Sequence, residues 1–77
     1  MNLTIKYYGL LAEAVQRQEE LFWFSQDSIE ELLEALYAKY PPLEGMDFQV
    51  AQNNKIVPTE TIITGTEIVL LPPFAGG

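Results

Sequence analysis

One amphipathic helix is predicted over residues 28–40, and two prolines end it. Its apolar side chains recur at intervals of three and four residues, which places them along one stripe of the helix surface: Ile29, Leu32, Leu33, Leu36, Tyr37 and Tyr40. Ser28 and Glu31 have the spacing of a capping box, in which each side chain bonds the other residue's backbone N–H. Pro41 and Pro42 follow, and proline ends a helix because it lacks an N–H and clashes with the preceding turn. A helix with one apolar stripe covers one face of a sheet, so the rest of the chain is expected to supply that sheet.

Five segments have the composition of β-strands. Two precede the helix and three follow it: residues 3–8, 20–24, 48–52, 55–57 and 67–71. Apolar and polar residues alternate at the start of the first strand, so Leu3, Ile5 and Tyr7 are predicted to face the core. Pro58 restricts the fourth to an edge or an end of the sheet. The last is a continuous apolar run of β-formers, which is typical of a strand buried in the middle of a sheet.

The second strand differs from the first because its apolar residues fall on both faces. One face must pack inward. The other is either a contact surface or is covered by a neighbouring segment, and the sequence leaves both interpretations open.

The connections contain turn and packing signals. Residues 10–18 are good helix formers and predict a short helix or a helical turn. Asn53 and Asn54 can adopt the positive φ of a tight hairpin turn. In the connection before the last strand, Ile62 and Ile63 are expected to pack against the core.

The order of elements is strand, strand, helix, strand, strand, strand. Parallel pairing of the first and last strands would place both in the middle of a mixed sheet. The predicted fold is therefore α+β, a ubiquitin-like β-grasp in which about five strands pack against one main helix. Residues 1–71 are expected to form this domain, and residues 72–77 a flexible C-terminal tail.

Composition excludes several classes of protein. The chain has 77 residues, which favours one domain. Eleven acidic residues against four basic ones give a net charge of −7, which argues against binding to a nucleic-acid backbone and could steer the protein toward a basic partner. The sequence shows neither a signal peptide nor a membrane-spanning segment, so a cytoplasmic location is expected.

A self-contained active site is not expected either. The sequence contains no histidine and no cysteine, which removes the commonest general base, the thiol nucleophile and the usual ligands of transition metals. No metal and no permanently bound cofactor are therefore expected. Glu30, Glu31 and Glu34 are predicted to lie on the solvated side of the helix, and Glu19 and Glu20 form a second acidic pair.

The chemistry is instead expected at the C-terminus. Pro72 and Pro73 cannot continue the sheet and favour an extended backbone. Phe74 offers an apolar anchor, and residues 75–77 (Ala75, Gly76 and Gly77) have so little side-chain bulk that they could enter a narrow channel on another protein. From the residues alone, a reactive terminus and an ordinary frayed terminus remain equally open.

The tail resembles the C-terminal signature of the molybdopterin synthase small subunit, the MoaD family of sulfur carriers. The resemblance extends over essentially the whole chain. It includes the first strand, the helix entry at 27–32, the hairpin at 50–55 and the turn at 65–68. Thr64 and Thr66 depart from the family, which usually has aspartate there.

The resemblance implies a function and a mechanism. A ubiquitin-activating-like adenylyltransferase would adenylate the Gly77 carboxylate with ATP, and sulfur from a donor would displace AMP to leave a thiocarboxylate. Residues 72–76 (Pro72, Pro73, Phe74, Ala75 and Gly76) would bind the large subunit of molybdopterin synthase, in a heterotetramer of two small and two large chains. The sulfur would pass to cyclic pyranopterin monophosphate in molybdenum cofactor biosynthesis.

Three other functions are compatible with the same fold. The chain could carry sulfur for thiamine thiazole or another pathway. It could be a ubiquitin-like modifier that forms an isopeptide with a lysine, or a β-grasp interaction domain whose tail stays unmodified. The acceptor separates the first two from molybdopterin synthesis, and a thiocarboxylate separates the sulfur carriers from the interaction domain.

Overall fold

Five β-strands and two α-helices make up the part of the chain that the computed structural model describes, residues 1–73. In chain order they are β1 (Asn2–Tyr7), α1 (Leu10–Val15), β2 (Glu19–Trp23), α2 (Ile29–Lys39), β3 (Gln49–Gln52), β4 (Lys55–Val57) and β5 (Glu67–Leu71). A 3₁₀-helix (Pro41–Gly45) follows α2. The predicted fold class, a mixed five-stranded sheet with one main helix, is confirmed.

Helix α2 begins at the predicted capping box. The Glu31 backbone N–H donates to Ser28 Oγ at 3.2 Å, and the Ser28 backbone N–H donates to Glu31 Oε1 at 3.3 Å. The first four residues of the predicted stripe are buried, and the two tyrosines are half-buried against the same core. The two prolines begin the 3₁₀-helix, where the missing N–H costs nothing, and its Leu43 is fully buried.

The strands are arranged in the order β2-β1-β5-β3-β4, so β1 and β5 are interior strands. They run parallel, as predicted, and the register places Ile5 opposite Ile68 and Tyr7 opposite Leu70. The other pairs are antiparallel. The predicted inward residues of β1 are all buried, and with Ile68 and Leu70 they form the sheet side of the core beneath α2.

The hairpin between β3 and β4 turns at Asn53 and Asn54, whose φ angles are 55° and 63°. Asparagine tolerates this left-handed conformation better than most residues do. The prediction of a tight asparagine turn and of an edge position for β4 is confirmed.

The prediction for the connection before β5 is half wrong. Ile63 is buried at 8% exposure, but Ile62 is 57% exposed. The segment is extended here, with a bridge between Ile62 and Ser28, and successive side chains of an extended chain point to opposite sides. Gln52 holds the segment in place, because its side chain donates to the Ile62 carbonyl and accepts from the Thr64 N–H.

Helix α1 is shorter than the predicted 10–18. It ends at Val15, and the capping residue Gln16 has a left-handed conformation with φ of 61°. Leu11 and Val15 are its buried residues and fix it against the core.

Strand β2 buries one face and exposes the other. Phe22 packs against the core, whereas Leu21 and Trp23 are 73% and 68% exposed on the face of the sheet opposite α2. No segment within residues 1–73 covers these two side chains, which favours the interpretation of this face as a contact surface.

Candidate functional site: the exit of the C-terminal tail

The tail leaves the fold from the end of β5, an interior strand. The Tyr8 N–H donates to the Leu70 carbonyl at 3.2 Å on one side of the strand, and Leu71 pairs with Gln49 on the other. Pro72 and Pro73 follow after the end of the strand. Because no neighbouring strand pairs with them there, the missing N–H of proline costs no hydrogen bond of the sheet. The start of the tail is therefore held by both neighbours of β5.

The structure locates only part of the predicted site. Pro72 is half-buried and Pro73 is exposed. Phe74, Ala75, Gly76 and the proposed reactive Gly77 lie outside the described residues, so their predicted roles stay predictions.

Pro72 packs against Gly9, which lies between β1 and α1. Gly9 has φ of 60° and ψ of −136°, a conformation that side-chain-bearing residues rarely adopt. A Cβ added to Gly9 would lie 3.0 Å from Cγ of Pro72. With Leu10, Met46 and Pro73, these two residues line an apolar groove at the point where the tail departs. No local sequence signal reveals this contact, because its two partners come from opposite ends of the chain.

A second surface, with both apolar and polar residues, lies beside the exit on the face opposite α2. We call its large apolar side chains, Tyr8, Ile56, Val69 and Leu71, the exit patch; around them lie Asn53, Asn54, Thr66 and Glu67. Tyr8 and Ile56 are 48% and 53% exposed, and the two β5 residues are half-buried. The outward-facing residues of β1 lie between the exit patch and the exposed pair Leu21 and Trp23 on β2. One of them is Lys6, whose ammonium lies 3.1 Å from the Glu67 carboxylate.

Glu20 is the one acidic residue buried among residues 1–73, and its burial was not predicted. Its carboxylate accepts hydrogen bonds from the hydroxyls of Tyr7 at 2.6 Å and Tyr40 at 2.8 Å, and from the Lys39 ammonium at 2.7 Å. Arg17 donates more weakly at 3.4 Å. The cluster joins β1, β2 and the C-terminal end of α2.

The electrostatics of Glu20 are those of a structural anion. Burial by itself raises the pKa of the carboxyl, but the hydrogen bonds from Lys39, Tyr7 and Tyr40 outweigh it, so the net pKa lies below the ordinary value. Burial and the neighbouring carboxylate raise the pKa of the Tyr7 hydroxyl. A general acid needs a raised carboxyl pKa, so Glu20 is unsuited to that role.

The three glutamates of α2 have the predicted solvated surroundings. Glu30, Glu31 and Glu34 are exposed on α2, and Glu19 is exposed beside the buried Glu20. Residues 1–73 contain no group of acidic side chains that could hold a metal ion. In the same part of the chain, no helix is long and apolar enough to cross a membrane.

Comparison with known proteins identifies relatives of the same architecture. Residues 5–77 match the ThiS family. The fold is similar to that of SAMP1 from Haloferax volcanii, with 22% identity, all of both chains covered and a TM-score of 0.82. It is also similar to a putative molybdopterin converting factor, subunit 1, from Pyrococcus furiosus, with 15% identity, 96% of this chain and 99% of that chain covered, and a TM-score of 0.87. A small archaeal modifier protein 1 from Methanosarcina acetivorans has 23% identity, with 99% and 96% covered and a TM-score of 0.77. At these identities the likeness shows the fold, which confirms the ubiquitin-like β-grasp architecture.

Proposed function

The chain belongs to the ThiS family, and from that premise we propose that it is a small sulfur carrier whose reactive group is the carboxylate of Gly77. Its specific role is that of the small subunit of molybdopterin synthase. The observation that carries the proposal is the tail sequence Pro72-Pro73-Phe74-Ala75-Gly76-Gly77 directly after β5, a strand held on both sides.

The chemistry requires activation because a free carboxylate is a poor electrophile. A carboxylate oxygen of Gly77 attacks the α-phosphorus of ATP on a ubiquitin-activating-like adenylyltransferase, and pyrophosphate leaves. Sulfur at the sulfide level, supplied by a donor, then attacks the acyl carbon, the bond to AMP breaks, and a thiocarboxylate remains. The thiocarboxylate sulfur attacks a side-chain carbon of cyclic pyranopterin monophosphate and displaces an oxygen substituent. Water then cleaves the acyl–sulfur bond, which releases the Gly77 carboxylate and leaves the sulfur on the pterin. A second loaded chain repeats the transfer to complete the dithiolene.

The chain contributes the reagent and a docking surface, and its partners contribute the catalytic groups. With no histidine and no cysteine, the sequence lacks the usual nucleophile–base pairs. The exit patch includes Leu71, the last residue of β5, so a partner that binds the tail also meets exposed apolar side chains. The net charge of −7 favours a partner with a basic pocket.

The first test is activation of the terminus. Three proteins are compared with purified adenylyltransferases, ATP and a sulfide source: the chain ending at Gly77, a Gly77 deletion, and a chain extended by one alanine. Pyrophosphate release and intact mass are the readouts, and the thiocarboxylate is recognised by the exchange of one oxygen for one sulfur. We expect only the first protein to react, since an added residue moves the terminus by up to ~3.5 Å and small misplacements can cost about a hundredfold.

The second test identifies the acceptor. The thiocarboxylate form is mixed with the large subunit and cyclic pyranopterin monophosphate, and dithiolene formation is measured. A parallel reaction contains the thiazole precursors instead. Sulfur transfer to the thiazole precursor alone would overturn the molybdopterin assignment, and equal activity of the alanine-extended chain, confirmed unprocessed by mass, would overturn the role of Gly77.

A ubiquitin-like modifier is the second candidate. Two of the structures with similar folds are named as small archaeal modifier proteins. In that function the Gly77 adenylate would be attacked by a lysine amine, with AMP as the leaving group and an isopeptide as the product. Conjugates that retain this chain on lysines of other proteins, found by mass spectrometry after digestion, would support the modifier over the sulfur carrier.

A further inference from the structure

We propose that two copies of this chain associate through β2, whose outer edge and exposed apolar side chains together form a site for β2 of a second copy. The two strands pair antiparallel about a two-fold axis and join the two sheets into one. The inference goes beyond the proposed function, because the pairing needs neither the tail nor its chemistry.

The backbone groups at the outer edge of β2 are identified by its hydrogen bonds to β1. The Phe24 N–H donates to the Met1 carbonyl and the Tyr7 N–H to the Gln18 carbonyl, both at 2.9 Å. In the register of this antiparallel pair, the even-numbered residues of β2 therefore bond β1. The odd-numbered residues direct their N–H and C=O groups to the outer edge, where no strand of residues 1–73 pairs with them: Glu19, Leu21 and Trp23.

Two of these residues also carry the exposed apolar side chains of β2. Leu21 and Trp23 are 73% and 68% exposed on the face opposite α2. A strand added at this edge would therefore make backbone hydrogen bonds and apolar contacts with the same residues, which is the way sheet edges bind an additional strand.

The opposite edge of the sheet is protected in a way that β2 is not. Strand β4 has three residues, begins with Lys55 and is followed by Pro58. Short length, lysine and proline are features by which proteins keep edge strands from pairing with other chains. Strand β2 has five residues and contains neither lysine nor proline, so it is the edge that is open to pairing.

The occupant is a second copy because β2 is complementary to itself. With Leu21 opposite Leu21 of the second copy, Glu19 of each chain lies opposite Trp23 of the other. Each of these pairs can exchange two backbone hydrogen bonds. A shift by two residues in either direction leaves Glu19 or Trp23 opposite a residue outside β2, so this register alone pairs every outward residue of the strand.

The same register brings apolar side chains together and keeps like charges apart. Trp23 lies diagonally across from Leu21 of the second copy, a separation that an aromatic ring can span. The two Glu19 residues are four positions apart, about 13 Å at ~3.3 Å per residue, which exceeds the Debye length of about 8 Å at physiological ionic strength. The net charge of −7 on each copy still opposes association, so salt should strengthen it.

Pairing through β2 leaves both tail exits accessible. Strand β1 lies between β2 and β5, so the added strand does not cover β5 or the exit patch. The two-fold axis reverses the direction of β5 in the second copy, and the two exits then lie at opposite ends of the joined sheet. Each copy can therefore bind its own partner.

The first experiment measures self-association of the full chain by sedimentation equilibrium. We expect the dimer fraction to rise between about 10 µM and 1 mM protein, as for a weak interface that buries less than about 1,200 Å². The fraction should also rise with added salt, whereas salt would weaken binding to a basic partner. A chain that stays monomeric throughout this range at high salt would overturn the proposal and leave the edge to a different partner.

Charge substitutions at Leu21 test the pairing itself. Leu21→Lys alone and Leu21→Glu alone place like charges opposite each other, and each should raise the dissociation constant about tenfold or more. A mixture of the two variants places opposite charges there and should restore the dimer. The matched control is Ile56→Lys, which changes an exposed residue of the other edge strand and should leave the dissociation constant unchanged. A mixture that stays monomeric, or wild-type affinity of Leu21→Lys alone, would overturn the proposal.

Amide hydrogen exchange tests the same edge without a substitution. In dilute protein the amides of Glu20 and Phe22, which face β1, should exchange slowly, and those of Leu21 and Trp23 rapidly. In concentrated protein we expect exchange at Leu21 and Trp23 to slow while Glu20 and Phe22 stay unchanged. Rapid exchange at Leu21 and Trp23 where sedimentation shows dimer would overturn the proposal, because the dimer would then use another surface.

Discussion

Glu20→Ala is expected to lower the free energy of unfolding by about 3 kcal/mol. The largest contribution comes from the Tyr7 hydroxyl, which is left buried without its acceptor at a cost of about 1–3 kcal/mol. Tyr40 is only half-buried, and its lost hydrogen bond adds about 1 kcal/mol. The side chains of Lys39 and Arg17 are 44% and 47% exposed and return to water at a cost below about 1 kcal/mol.

The assay is urea denaturation at pH 7, followed by circular dichroism. The matched control is Glu19→Ala, which removes the exposed neighbouring carboxylate and should change stability by no more than about 0.5 kcal/mol. For a domain of this size, a loss of about 3 kcal/mol also lowers Tm by roughly 10–25 °C.

The pH dependence gives an independent check. Glu20 has a folded-state pKa below its ordinary value of 4.5, so the stability it contributes is fully present above about pH 4.5 and is lost as pH falls through the folded pKa. The difference between wild type and Glu20→Ala should therefore shrink as pH falls below 4.5. A Glu20→Ala protein that unfolds at the same urea concentration as Glu19→Ala, or a difference that stays constant with pH, would refute this account of the cluster.

Three further predictions concern the core and the tail. Leu33→Asp should destabilise the domain by several kcal/mol, because Leu33 is 6% exposed and the new charge would have no partner; the exposed neighbour variant Glu34→Ala is the control, and a parental melting temperature for Leu33→Asp would show that the helix is misplaced. Phe74→Ala should weaken binding to the large subunit by roughly 1–3 kcal/mol in calorimetry, as expected of an aromatic anchor, and unchanged affinity would remove Phe74 from the interface. Removal of Gly77 should abolish adenylation while the urea midpoint stays at the wild-type value, and retained adenylation would exclude the Gly77 carboxylate as the reactive group.

The elements that the sequence predicts well are those whose signals are local. Helix α2 has its cap, its apolar stripe and its terminating prolines within one short segment, and the structure places all three as expected. The asparagine hairpin is equally local, since its positive φ angles depend on the turn residues themselves. Ile62 was mispredicted because composition alone does not say which of two adjacent apolar residues of an extended segment faces inward.

Glu20 could be predicted only in part. Glu20, Phe22 and Phe24 are spaced two residues apart, so in a strand their side chains point to the same face of the sheet. The two phenylalanines indicate that this face is the inward one. What makes its burial tolerable is the set of donors on Tyr7, Lys39 and Tyr40, which the fold brings together from distant parts of the chain.

The candidate site shows the same division. The tail residues were proposed as the site from their sequence and stay a prediction, whereas the exit patch and the contact between Gly9 and Pro72 depend on the parallel pairing of β1 with β5. Sequence analysis predicted that pairing but not which side chains meet at its end.

The position of β5 between β1 and β3 has a mechanical consequence. A partner that draws the tail into a channel pulls along the axis of β5, and the ladder bonds on both sides of the strand lie across that direction. The hydrogen bonds to β1 and to β3 then resist the pulling force together. A force that peels an edge strand sideways would instead break its hydrogen bonds one after another. The fold can therefore hold Pro72 and Pro73 under tension without unravelling from the C-terminal end of β5.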